Sequence, residues 1–198
     1  FPKNNSDIKK AHERLAFDEL FLIQLQSQLV KKSLSLSVAP AIKFQETETK
    51  KFVDSLPFKL TDAQRKAAWE ILRDLANDKP MFRLLEGDVG SGKTIVVIIA
   101  MLNVALSGQQ AVLMVPTEIL AKQHYDTVSK LLAGFGIKVG LITRTNKLMS
   151  NDKKFKASDI MEKADIIIGT HALIQEDIKF KNLALAVIDE QHRFGVEQ

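Results

Sequence analysis

Cysteine is absent from the 198 residues. That excludes a disulfide framework, a zinc finger, an iron–sulfur site and a thiol nucleophile, and it fits a reducing compartment. Long apolar runs are missing as well. The longest, Ile95 to Leu106, contains Asn103 and falls short of the roughly 18 residues needed to span a bilayer. The start is polar and charged and does not read as a signal peptide. No sign of charge dominates: 28 Lys and Arg stand against 24 Asp and Glu. The resulting +4 and pI near 9.2 favour an anionic partner only mildly, and ordinary solubility accounts for them equally well. No internal repeat or low-complexity tract is present.

What remains is a globular balance, 45% apolar and 26% charged, long enough to bury a core without staples. The chain begins at Phe1 and stops at Gln198, a few residues beyond an acidic motif. Both ends are expected to be cuts in a longer protein.

Apolar residues at Leu15, Phe17, Leu20, Phe21, Leu22, Leu25 and Leu29 repeat near helical period, predicting an amphipathic helix over 11–32. Residues 33–57 read as a linker closed by Pro57. From Phe58 onward strand and helix patterns alternate. Thr61 or Asp62 can cap a helix reaching about Ala76. Strands are expected at 82–85, 111–115, 138–143, 166–168 and 185–188, and helices at 92–106 and 118–133, with a helical turn at 160–164. Residues 145–158 are polar and rich in lysine, and they read as a mobile loop. The short apolar strands suit a mostly parallel sheet buried on both faces, so the class is α/β with helices on both faces.

Gly87-Asp88-Val89-Gly90-Ser91-Gly92-Lys93-Thr94 fits the pattern G-x-x-x-x-G-K-[ST], between an expected strand and an expected helix. A triphosphate can be surrounded by bare backbone amides where no side chain intervenes, which is the use of the three glycines. The helix start aims free N–H groups at the phosphates. Lys93 would reach the β- and γ-phosphates, and the Thr94 hydroxyl would help hold Mg²⁺. Leu185-Ala186-Val187-Ile188 then leads into Asp189 and Glu190, which puts two carboxylates at the carboxyl edge of the sheet, where ligands bind. Asp189 would hold Mg²⁺ through water and Glu190 would deprotonate an attacking water. The alternative for the pair is capping of a following helix.

Asp189-Glu190-Gln191-His192 resembles the DExH box of superfamily 2 helicases and translocases. Phe58-Lys59-Leu60-Thr61-Asp62-Ala63-Gln64 resembles their Q motif, whose glutamine reads adenine. Val115-Pro116-Thr117-Glu118-Ile119-Leu120-Ala121 resembles motif Ia, and Gly169-Thr170-His171-Ala172-Leu173 resembles motif Ib. More narrowly, Arg83 to Thr94, Gly169 to Gln175, Asp189 to Val196 and the helix Arg14 to Leu20 resemble the RecG family of bacterial ATP-dependent helicases that remodel branched DNA. The transcription-repair coupling factors are the alternative, but they typically carry Glu-Gln where Gln191-His192 stands.

The resemblance implies a RecA-like P-loop motor. Residues 1–32 would be a linker helix from a DNA-reading domain, 33–57 a linker, and 58–198 a C-terminally incomplete first motor domain. It implies ATP and Mg²⁺ as cofactors. Phe58 and Gln64 would contact adenine, and Gly87, Asp88, Val89, Gly90, Ser91, Gly92, Lys93 and Thr94 the phosphates. Thr117, Gly169, Thr170 and His171 would contact the DNA backbone, and Gln191 and His192 would couple the two sites. Forked DNA is the implied partner, with single-strand DNA-binding protein beside it, in the bacterial cytoplasm and off the membrane. Arginine fingers would come from a second motor domain and are worth roughly 10³–10⁵ in rate in related P-loop enzymes, so residues 1–198 alone are expected to be inactive. In this family the P-loop strand and the DExH strand are not neighbours. The strand between them comes later in sequence, which predicts a gap in the sheet.

Several residues keep a second reading. Thr117 and Thr170 suit helix capping as well as phosphate contact. His171 also reads as an ordinary surface histidine, and Gln191 and His192 as polar residues at a helix start. Phe58 could stack on adenine or only pack. Trp69 reads as core. Lys147, Lys153, Lys154, Lys156 and Lys163 alternate with acids and read as a solvated face before a DNA track.

Overall fold

A computed structural model describes residues 5–35, 37–149, 153–174 and 179–190. The chain divides into two units, Phe1–Ala39 with Asp78–Pro80, and Pro40–Asn77 with Met81–Gln198. The first unit is dominated by helix α1 (Asn5–Ser35), longer at both ends than the apolar pattern suggests. Arg14 pairs with Asp18 one turn on at 3.1 Å, and Phe17 stacks on Phe21 with ring centres 6.0 Å apart. Leu15, Leu22 and Leu29 are exposed along it.

The second unit contains α2 (Glu46–Ser55), α3 (Asp62–Leu75), α4 (Lys93–Leu106), β1 (Gln110–Met114), α5 (Glu118–Leu132), β2 (Val139–Ile142), β3 (Lys147–Met149), β4 (Lys153–Lys154), α6 (Ala157–Lys163), β5 (Ile166–Gly169) and β6 (Leu183–Ile188). The strands form one sheet in the order β4-β3-β2-β5-β1-β6. β2, β5, β1 and β6 run parallel, with Ala111 opposite both Ile166 and Leu185. Successive side chains of a strand point to opposite faces. Thus Ala111, Leu113, Ile166 and Ile168 pack with α3, α4 and α5, while Val112 and Ile167 pack with Ile160 and Met161 of α6. The expected α/β class, with a mostly parallel sheet covered on both faces, holds.

Four expectations need correction. Residues 40–57 are part of the body, not a linker: Ile42 and Phe52 are fully buried, and Asn103 Oδ1 on α4 accepts the Gln45 N–H at 2.8 Å. Truncating a fully buried phenylalanine to alanine costs about 3–5 kcal/mol, so this segment is structural. Residues 147–149 and 153–154 are not loop but an antiparallel extension of the sheet, β3 on β2 and β4 on β3, with Leu148 buried on one face and Met149 on the other. Trp69 is half exposed, edge-on to Phe44 at 5.6 Å. It sits a step of helix away from the buried face of α3, which is Ala68, Ile71, Leu72 and Leu75. Finally, 82–85 is not a strand. Phe82 and Leu84 are exposed, and Arg83 ties the segment to α3 through Glu70 at 3.0 Å and Asp74 at 2.5 Å. A strand needs a ladder partner, and among the described residues neither this segment nor the outer edge of β6 has one.

Candidate active site

Only three residues separate α4 from β1, so the end of α4 lies at the amino edge of the sheet. A 14-residue helix is about 21 Å long, which carries its start, and the P-loop with it, to the carboxyl edge. Asp189 follows β6 directly at that same edge, its N–H donating to Met114 O at 2.9 Å.

Within the P-loop, Ser91 N–H closes a turn onto Asp88 O at 3.1 Å, and Gly90 and Gly92 both adopt φ +81°. Gly92's positive φ favours glycine, and a Cβ there would also push the Gln64 amide off its bond to Ser91 O. Lys93 Nζ donates to Gly87 O at 2.6 Å and Asp88 O at 2.9 Å. The ammonium is thus folded onto the carbonyls of its own loop, where an incoming phosphate would compete for it. Val89 is fully exposed.

Gln64 serves two elements. Its Oε1 accepts the Thr61 N–H at 2.9 Å while its own N–H donates to Thr61 Oγ1 at 3.2 Å, a reciprocal cap on α3. Its Nε2 donates to Ser91 O at 2.8 Å, tethering α3 to the P-loop. Phe58 is half exposed, which leaves both its readings open.

At the acid pair, Asp189 Oδ1 accepts the Glu190 N–H at 3.0 Å, and His124 Nε2 of α5 lies 3.5 Å from Oδ2. Glu190 is held at φ +49°, a left-handed conformation rare outside glycine and common where function over-determines the backbone. The oxygen donors available, the Thr94 hydroxyl and the Asp189 carboxylate, suit a hard divalent cation. Among the described residues no group of three or more His, Asp or Glu side chains could hold a metal ion. The expected coupling residues Gln191 and His192 lie outside the described residues.

A groove of about 570 Å³ opens at the same edge, lined by Pro116, Glu118, Arg144, Lys147, Thr170 and His171 among others. Thr117 is the N-cap of α5, its Oγ1 accepting the Leu120 N–H at 3.3 Å. Capping uses a lone pair and leaves the hydroxyl proton to donate, so the two readings of Thr117 are compatible. Gly169 ends β5, and a Cβ there would collide with Ile142 O and Leu173. Thr170 is nearly buried beside it. Glu118 accepts the Thr145 N–H at 3.2 Å and the Thr145 hydroxyl, fastening the β2–β3 turn to the start of α5. The Thr145 hydroxyl, with the backbone N–H groups of Thr145 and Arg144, holds the Glu118 carboxyl below its ordinary value against a smaller opposing desolvation. Sequence reasoning missed this latch, Arg144, and the approach of His124 to Asp189. None has a spacing signal, because each is a meeting of separate elements.

The sequence pattern of the DEAD/DEAH box helicases matches residues 61–198. The chain is 49% identical over 98% of its length to an ATP-dependent DNA helicase RecG from Aquifex aeolicus, covering 24% of that protein. It is 47% identical over its whole length to the ATP-dependent DNA helicase RecG of Thermotoga maritima, covering 25%. It therefore spans about a quarter of the length of these curated relatives. A solved structure of RecG bound to a three-way DNA junction superposes with a TM-score of 0.85 at 45% identity, over 98% of this chain and 27% of that one.

Proposed function

The chain belongs to the DEAD/DEAH box helicase family, and from that premise we propose that it is the ATP-binding part of a RecA-like motor that hydrolyses ATP to move on and remodel branched DNA. The observation that carries this reading is the shared carboxyl edge: the P-loop, the Asp189–Glu190 pair and the groove lined by Pro116, Glu118 and Thr170 all open there, in a chain 45% identical to a protein solved on a three-way junction.

In this reading Lys93 exchanges the Gly87 and Asp88 carbonyls for the β- and γ-phosphates, and the amides of Gly90 to Thr94 line the triphosphate. Phe58 and Gln64 hold adenine. The Thr94 hydroxyl and Asp189 hold Mg²⁺, which when bound neutralises charge building on the phosphates. Glu190 takes the proton of the attacking water. Thr117, Gly169, Thr170 and His171 contact the phosphate backbone through hydroxyls and backbone N–H groups, which carry no sequence information. Arg144 and Lys147 add positive charge to the same groove. Gln191 and His192 would link the two sites. A single-strand DNA-binding protein as partner rests on the family resemblance alone. Bacterial relatives acting on DNA support a cytoplasmic location, and no described helix is long and apolar enough to cross a membrane.

The test is strand separation on a three-way junction by the full-length protein and its Glu190→Gln variant. The amide keeps the shape and cannot accept the proton, so turnover should fall about 10²-fold or more while ATP binding holds. Near-normal separation by the variant would show that Glu190 is not the base.

A further inference from the structure

Asp189 is approached at both carboxylate oxygens by this chain itself. The Glu190 backbone N–H reaches Oδ1 at 3.0 Å and His124 Nε2 stands 3.5 Å from Oδ2. The His124 side chain is 16% exposed and that of Asp189 41%. The histidine is therefore largely enclosed, while the carboxylate keeps an open side for a ligand. His124 lies on α5 one turn beyond buried Ala121 and next to buried Tyr125, residues that anchor the helix to the sheet. Its backbone is thus fixed, and its ring projects from a rigid element rather than a loop.

We propose that His124 is a positioning residue for Asp189: with a proton on Nε2 the ring donates toward Oδ2, and together with the Glu190 N–H it fixes the plane of the carboxylate that receives the divalent ion. The inference rests on the reading of Asp189 as the ion-holding acid. A carboxylate at a strand end can otherwise rotate about χ1 and χ2, and each rotamer aims its oxygens differently. Two donors on two oxygens leave one orientation. At 3.5 Å the contact is long for a hydrogen bond, and such contacts tighten in ligand-bound enzymes. Partners that orient a metal-binding side chain typically account for 10–100-fold in metal affinity or activity.

The experiment uses the full-length protein with Mn²⁺ as the probe, in the presence of ADP, reading free Mn²⁺ by electron paramagnetic resonance. Two variants fill the space of the ring. His124→Leu lacks a donor, and His124→Gln restores one at similar reach. The expected result is Mn²⁺ affinity about 10–100-fold weaker in His124→Leu and within about threefold of the unmutated protein in His124→Gln. ADP affinity without metal should stay unchanged in both. A merely structural role would weaken ADP binding in both variants and would not be rescued by the amide. Unchanged Mn²⁺ affinity in His124→Leu overturns the inference, as does a His124→Gln variant as weak as His124→Leu, or an unmutated protein that takes up no Mn²⁺ with ADP. Strand separation plays no part in this readout. A protein whose Mn²⁺ affinity depends on His124 in this way and which separates no strands would refute the helicase reading and leave the inference standing.

Discussion

Gln64→Glu should separate two tasks that one side chain performs. A glutamate at this position keeps the acceptor for the Thr61 N–H and leaves the backbone bond to Thr61 Oγ1 in place, so the reciprocal cap on α3 survives. What it loses is the Nε2–H that reaches Ser91 O at 2.8 Å. One such bond is worth about 0.5–1.5 kcal/mol, or about 2–13-fold in binding if the tethered P-loop is the competent one. Charge repulsion with the triphosphate adds to that fall. The carboxylate also cannot donate to the adenine edge, so preference for ATP over GTP should shrink. Gln64→Glu loses the one bond to Ser91 O and should melt about 1–5 °C below the unmutated protein, while Gln64→Ala loses the cap acceptor as well and should melt lower still. Fluorescent ATP and GTP analogues titrated into the full-length variants, with melting curves alongside, measure both effects. A Gln64→Glu protein with unmutated ATP affinity and an unmutated ATP-to-GTP ratio would refute the assignment of Gln64 to the nucleotide.

Lys93→Ala in the full-length protein should abolish strand separation and lower hydrolysis by roughly 10²–10³-fold, the loss of about 3–4 kcal/mol expected for one charged donor in a preorganised site. DNA binding should survive, because the groove at Arg144, Lys147 and Thr170 does not include Lys93. The Glu118–Thr145 latch should make a pH-dependent contribution to stability. The native carboxyl is held below its ordinary 4.5, so the contribution is present above that value and fades as pH falls through the lowered native one. Urea unfolding at a series of pH values should show this component in the unmutated protein and lose it in Glu118→Gln.

Much of the molecule is legible in its residues, for identifiable reasons. The P-loop and the Asp189–Glu190 pair are local patterns whose chemistry dictates their composition. The strands β1, β2 and β5 announce themselves as apolar runs because both their faces are covered, and β6 does so although only Leu185 of it is buried. Elements that rely on partners are less visible. Leu148 and Met149 are two apolar residues in a polar stretch, too few to signal a strand until β2 supplies the ladder. Ile42, Phe52 and Leu56 carry the core function of 40–57, but the charged residues between them read as a linker. The short segment Phe82-Arg83-Leu84-Leu85 reads locally as a strand and still lacks a ladder neighbour among the described residues. Trp69 shows the reverse error, since a large aromatic beside two alanines suggests core and lies instead at the edge of the buried face. His124 is silent in sequence because its contact spans α5 and the end of β6.

The most direct test of the central claim is ATP turnover by the full-length protein at saturating ATP and Mg²⁺, compared without DNA, with linear duplex and with a three-way junction. The account predicts low turnover alone, the strongest stimulation by the junction, and loss of that stimulation in Lys93→Ala. Turnover indifferent to DNA structure, or junction-stimulated turnover that persists without Lys93, would contradict it.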